Sequence, residues 1–170
     1  MSICRKTGIA VILLCASMGT AHAAGWYMGG SFGSSDVDVG GYNDASSFRL
    51  FFGTDANDTI ALETGYVDLG TFDVVGSTAN VDAWGIDVSV LGKLPVSDSV
   101  SLYGRLGLFI WDAEATVSGL AIGSDDGTDM TYGVGGEFEL GSNLQGRVSW
   151  EFYPDVSGGD IDVVFFGLLY

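Results

Sequence analysis

Ser101-Leu102-Tyr103-Gly104-Arg105-Leu106-Gly107-Leu108-Phe109-Ile110-Trp111 separates two kinds of β protein. Leu102, Leu106, Leu108 and Ile110 share one face of an extended chain, and Tyr103, Arg105, Gly107 and Phe109 share the other. Period two is the signature of a strand. In a soluble sheet the aliphatic face points into the core. In a membrane wall it points out, and the face carrying Arg105 lines the interior.

The same division recurs on both sides of this stretch. Val81 to Leu94 sets Trp84, Ile86, Val88 and Val90 against Ala83, Gly85, Asp87 and Ser89. Thr128 to Leu140 sets Met130, Tyr132, Val134 and Phe138 against Thr131, Gly133, Gly135, Glu137 and Glu139. Leu144 to Tyr153 opposes Val148, Trp150 and Phe152 to Gln145, Arg147, Ser149 and Glu151. Gly25–Ser34, Ser46–Gly53 and Thr59–Leu69 alternate with more noise, and Asp160–Tyr170 is apolar on both faces. That makes eight strands, several about 10 residues long, the length a tilted membrane-spanning strand requires.

Charge decides which face is inside. A soluble core would have to bury Arg49, Glu63, Asp87, Arg105, Glu137, Glu139, Arg147 and Glu151, at high cost unless every charge is paired. Turned around, those residues form a polar lumen network and the aromatics meet lipid. The expected fold is therefore all-β: an eight-stranded antiparallel transmembrane β-barrel, an up-and-down meander. No apolar run after the leader reaches the roughly 20 residues of a helical span. Hydrogen-bond closure leaves no strand edge in lipid.

The connections alternate too. Asp55–Asp58, Pro95–Asp98 and Gly141–Asn143 are short and rich in turn formers. Ser35–Ala45, Gly70–Asn80, Asp112–Gly127 and Pro154–Gly159 read as mostly longer, acidic loops. This arrangement predicts a bacterial outer-membrane barrel with termini in the periplasm and long loops outside.

A leader precedes the barrel. Arg5 and Lys6, the apolar stretch Gly8–Met18 and the small-x-small Ala21-His22-Ala23 are the parts of a secretory signal. Cleavage is expected after residue 23, leaving 24–170 as the barrel. An anchored helix is disfavoured because the apolar run is short, and a lipoprotein signal at Cys15 because Leu14 precedes it. Cys4, Cys15 and His22 leave with the signal, so the remainder has no Cys or His and no disulfide framework. Arg49, Lys93, Arg105 and Arg147 then face 22 acidic residues, a net charge of −18. Such a chain repels nucleic acid.

Taken in order, several stretches resemble OmpA-like outer-membrane β-barrels: Gly25-Trp26-Tyr27-Met28-Gly29-Gly30, Leu62–Gly70, Tyr103–Gly107, Tyr132–Phe138 and the closing strand to Tyr170. The resemblance implies insertion by the outer-membrane assembly machinery, which reads a last strand ending in an aromatic residue. Here Phe166, Leu168 and Tyr170 would be that signal, although the Tyr-x-Phe ending common in the family is cut short. It also implies contact with outer-membrane lipid and lipopolysaccharide. No peptidoglycan-binding domain is expected to follow, so the cell-wall tethering of longer relatives does not carry over.

Eight strands enclose an interior just wide enough for side chains to fill. The lumen charges could therefore be a static network or a gate in which an Arg exchanges carboxylate partners. The static network is the favoured expectation. Enzymes on barrels of this size commonly use His, which is missing, so no catalysis, catalytic residue or cofactor is expected. Asp36, Asp38, Asp125, Asp126 and Asp129 are possible oxygen ligands, but no loop follows a calcium pattern, so no metal site is assigned. Phe72 and Tyr42 are the aromatics expected to be exposed in loops. The expected role is structural, a monomer supporting envelope integrity with at most a narrow or gated ion pore. The alternative is a surface binding protein or adhesin acting through acidic loops.

Overall fold

Alternation of side chains continues almost unbroken through the computed structural model, which describes residues 25–38 and 40–170. The expected leader and its cleavage site lie outside these residues. The strands are β1 (Trp26–Val37), β2 (Ala45–Asn57), β3 (Ile60–Asp73), β4 (Ala79–Ser97), β5 (Val100–Val117), β6 (Leu120–Glu139), β7 (Gln145–Val156) and β8 (Gly159–Leu169). Each pairs antiparallel with the next, and β1 pairs with β8 to close the barrel. Tyr170 completes the seam, exchanging two backbone hydrogen bonds with Met28 at 2.8 and 3.0 Å.

Register fixes the tilt. A walk along paired residues from Trp26 through Thr54, Leu62, Val90, Leu106, Tyr132, Phe152 and Asp162 returns to β1 at Asp36, ten residues from its start. A stagger of that size in eight strands inclines them by roughly 40° to the axis. The end where β1 begins and β8 finishes is called basal here, and the opposite end distal.

Several expected boundaries move. Asp55–Asn57 belongs to β2 and Pro95–Ser97 to β4, so those basal turns shrink to Asp58-Thr59 and Asp98-Ser99. The larger correction concerns Asp112–Gly127, read above as a loop. It is a continuous hairpin whose only turn is Ser118-Gly119, both with positive φ (52° and 78°), the backbone of a two-residue twisted hairpin turn. The Thr, Ser, Gly and Asp residues there break the apolar alternation because nothing greasy surrounds them. Their backbones still pair, Asp112 with Asp126 and Ala113 with Asp125. Pro154–Gly159 likewise shrinks to Ser157-Gly158.

In most strands the outward side chains are apolar up to a given level and then turn polar. Phe32 gives way to Ser34 and Asp36, Tyr66 to Asp68, Trp84 to Asp82, Ile110 to Asp112, Met130 to Thr128 and Asp126, and Val164 to Asp162. This is the pattern of a lipid-facing band ending at an interface.

The interior has two zones. Its basal half holds the charged residues, interleaved with Tyr27, Phe51, Ala61, Leu91, Tyr103 and Leu169. Its distal half is filled by a larger apolar cluster that includes Leu69, Phe72, Phe109, Trp111, Tyr153 and Phe165. Phe72 is therefore a core residue on β3, only 2% exposed, and not the loop aromatic expected. Because Ile161, Val163 and Phe165 face this cluster while Val164, Phe166 and Leu168 face outward, β8 is apolar on both sides.

Candidate functional site

The inward positions of β2 to β7 bring the charges together. Arg49 reaches three other strands: Nη2 lies 3.0 Å from both Glu63 Oε2 and Asp87 Oδ2, and Nη1 lies 3.4 Å from Glu151 Oε1. Arg105 pairs with Asp87 and Glu151, and its Nε donates to Ser89 Oγ at 3.0 Å. Arg147 bridges Glu63 Oε1 at 2.6 Å and Glu137 Oε1 at 2.5 Å. Two tyrosines complete the carboxylates. Tyr27 donates to Glu63 at 2.9 Å, and Tyr153 to Glu151 at 2.7 Å.

Of the eight residues expected in the lumen, seven are buried and joined in this network: Arg49, Glu63, Asp87, Arg105, Glu137, Arg147 and Glu151. Glu139 is the exception. It shares the inward face of β6, but one step beyond Glu137 the strand reaches the basal rim, and Glu139 is exposed to solvent. Lys93 takes a place that sequence reasoning had left empty, with Nζ 3.0 Å from Asp55 Oδ1 and 3.3 Å from Glu137 Oε2. Its signal was available, since Lys93 shares the alternation phase of Asp87 and Ser89.

Flat cation–aromatic contacts pack the network. The Arg147 Cζ lies 4.5 Å from the Phe51 ring centre and 5.1 Å from that of Tyr103. Glycines make room for these rings. Gly53 is paired with Tyr27 and Gly135 with Tyr103, and a Cβ at either position would overlap the facing ring.

The inventory balances. Arg49, Lys93, Arg105 and Arg147 all point into the lumen, against the buried carboxylates Glu63, Asp87, Glu137 and Glu151. Each buried charge thus has a partner, which is the condition for tolerating it there. It follows that, among the described residues, no cation remains on the outer wall or rims, while Asp and Glu residues crowd the distal end. Among the same residues, no cluster of three or more His, Cys, Asp or Glu is placed to hold a metal ion.

Comparison with known proteins agrees with this architecture. The family described as outer membrane protein beta-barrel domain matches residues 7–170. Outer membrane protein A of Yersinia pseudotuberculosis serotype I is 29% identical, over 94% of this chain and 51% of its own length. The chain thus spans about half the length of the curated relatives it matches. Among solved structures, Neisserial surface protein A superposes with a TM-score of 0.69 at 14% identity, covering 87% of this chain and 98% of its own. Ail, the attachment invasion locus protein of Yersinia pestis, in complex with the heparin analogue sucrose octasulfate, gives 0.64 at 19% identity, covering 88% and 100%. At these identities the likeness is one of fold.

Proposed function

The chain belongs to the outer membrane protein β-barrel domain family, and on that premise we propose that it is a closed structural barrel supporting the integrity of the bacterial outer membrane. The orientation that fits has the basal end and both termini in the periplasm and the hairpins of the distal end outside. In this reading the chain acts as a monomer without catalysis, in contact with outer-membrane lipid and lipopolysaccharide. Phe166, Leu168 and Tyr170, all outward on the closing strand, present the aromatic-ended segment that the assembly machinery would read.

One observation carries the structural reading over the pore: the lumen is closed twice in series. An ion crossing the basal half meets the paired charges. Beyond them it meets Phe109, Trp111, Tyr153 and Phe165 of the distal apolar cluster. Release of Arg147 from Glu63 and Glu137 would loosen the first closure and leave the second intact. Apolar constrictions of this kind stop ions by excluding water.

Planar-bilayer recording on the refolded protein tests the proposal. The expected record stays at the bilayer baseline across the voltage range. Stepwise openings that give way to steady current in Arg147→Ala would overturn it in favour of a gated pore.

A further inference from the structure

The outward band that meets lipid is not equally tall all round. On β3 it runs from Ile60 to Tyr66 before Asp68 ends it, and on β2 from Ala56 to Phe48 before Ser46, apolar except for one threonine on each strand. On β1 Phe32 gives way to Ser34, and on β8 Val164 gives way to Asp162. The opposite wall continues further. β4 keeps its band from Trp84 to Val96, β5 from Val100 to Ile110 and β6 from Met130 to Leu140. At a tilt of roughly 40°, each residue advances about 2.5 Å along the barrel axis. The band is thus about 15–20 Å tall on β2 and β3, against about 25–30 Å on β4 to β6.

Register puts both faces on one scale. A step from a residue to its partner on the next strand climbs about 3 Å toward the distal end. Asp68 is paired with Trp84 and Ile60 with Gly92. Trp84 therefore stands about 8 Å above Tyr66, and Val96 about 7 Å below Ile60. The tall face overhangs the short one at both ends. Tilting the barrel in the membrane would move both ends of a face the same way, so tilt does not even out the two heights.

Aromatic side chains trace the upper edge. Phe48, Tyr66 and Trp84 form a ladder with ring centres 5.8 and 6.1 Å apart, and it ends higher on the tall face. They stand directly below Ser46, Asp68 and Asp82. Such rings settle where hydrocarbon meets headgroups.

A band of about 25 Å is usual for outer-membrane barrels. β4 to β6 meet it, and the face from β8 through β1 to β3 falls short. Asp68 and Asp162 fix the short edge, because a carboxylate in hydrocarbon is costly, so the lipid must adjust by thinning. A second copy pressed against this face would set those carboxylates against like charges, with no cation on the described outer wall of either copy.

We propose that the face formed by β8, β1, β2 and β3 thins the bilayer beside it and gathers lipids with short acyl chains, while β4 to β6 take chains of ordinary length. The proposal goes beyond a structural role and rests only on the barrel spanning a bilayer, whichever end faces out.

Single-tryptophan variants of the full barrel in liposomes test it. Trp26, Trp84, Trp111 and Trp150 are replaced by Phe, and one reporter is placed mid-band on either face, as Leu50→Trp or Leu106→Trp. Fluorescence is quenched in mixtures of dimyristoleoyl- and dierucoyl-phosphatidylcholine, with one lipid of the pair dibrominated. The Leu50→Trp reporter should favour the shorter lipid by about threefold or more relative to the Leu106→Trp reporter. Ser34 and Ser46 are an exposed pair across β1 and β2. Ser34→Leu with Ser46→Leu raises the short edge by about 5 Å and should erase most of the difference. Equal preference at both reporters, or a difference untouched by the leucine pair, would overturn the proposal. Loss of quenching at Leu50→Trp alone, growing with protein density, would overturn it in favour of a second copy. The compact band on unboiled gels reports closure of each variant separately, and its absence from the unsubstituted chain would refute the membrane-spanning barrel instead.

Discussion

Arg147 Nη1 stands 2.6 Å from Glu63 Oε1, joining β7 to β3 across the lumen with both side chains out of reach of water. Removing either leaves one buried charge in excess in the lumen, although Arg147 keeps Glu137 and Glu63 keeps Arg49. Glu63→Gln should lower the free energy of unfolding, measured by urea titration in liposomes, by about 3–5 kcal/mol. Adding Arg147→Met should restore part of the loss, with a coupling of about 1–3 kcal/mol. Strictly additive effects would mean that the contact is idle.

A second dependence is steric. Tyr103 lies across Gly135, its paired residue, where a Cβ would meet the ring. Gly135→Val should drive the ring off the strand and out of its contact with Arg147. Overpacking of this kind costs about 1–3 kcal/mol, visible as a lower temperature for losing the compact band on unboiled gels. Tyr103→Ala in the Gly135→Val background should recover part of it. No recovery would place the damage in the backbone instead of the ring.

Two closures in series predict non-additive conductance. Arg147→Ala should leave the bilayer record silent, because the distal cluster still excludes water. Phe109→Ala with Phe165→Ala should also be silent, because Arg147, bridging Glu63 and Glu137, still closes the basal half. Only the triple variant should pass current. Opening by either change alone would show that the closure left behind does not by itself hold the barrel shut.

How far the sequence was legible depends on what surrounds each residue. From Trp84 to Val90 or from Leu102 to Ile110, lipid on one side and the lumen on the other imposed a clean alternation, and the faces read from it are those observed. From Glu114 to Asp126 both faces meet water, so the side chains lost their periodicity although the backbone ladder continued. β8 was ambiguous for the opposite reason, with apolar surroundings on both sides. The charged lumen residues could be named because each one broke an apolar pattern. Their partners could not, since Arg49 reaches Glu151 from a strand far along the chain and the choice depends on closure of the ring. The distal cluster escaped notice because Phe109 or Phe165 on the inward face looks like any other aromatic until the neighbouring strands are in register.

The last expectation follows from where the cations go. With Arg49, Lys93, Arg105 and Arg147 all inside, the distal boundary of the outer wall carries Asp36, Asp68, Asp82, Asp112, Asp126 and Asp162 with no positive neighbour on the wall. Phosphates of lipopolysaccharide at that level would repel these carboxylates over about 10 Å at ordinary salt. Divalent cations shared between carboxylate and phosphate oxygens would relieve the repulsion. Chelator should therefore lower the melting temperature in native outer-membrane vesicles, by about 2–4 °C for each kcal/mol withdrawn, and should have no effect in zwitterionic micelles. Asp82→Asn with Asp112→Asn should reduce the sensitivity without altering the melting temperature in micelles. An unchanged melt on chelation in native vesicles would mean that the acidic boundary tolerates its surroundings without bridging cations.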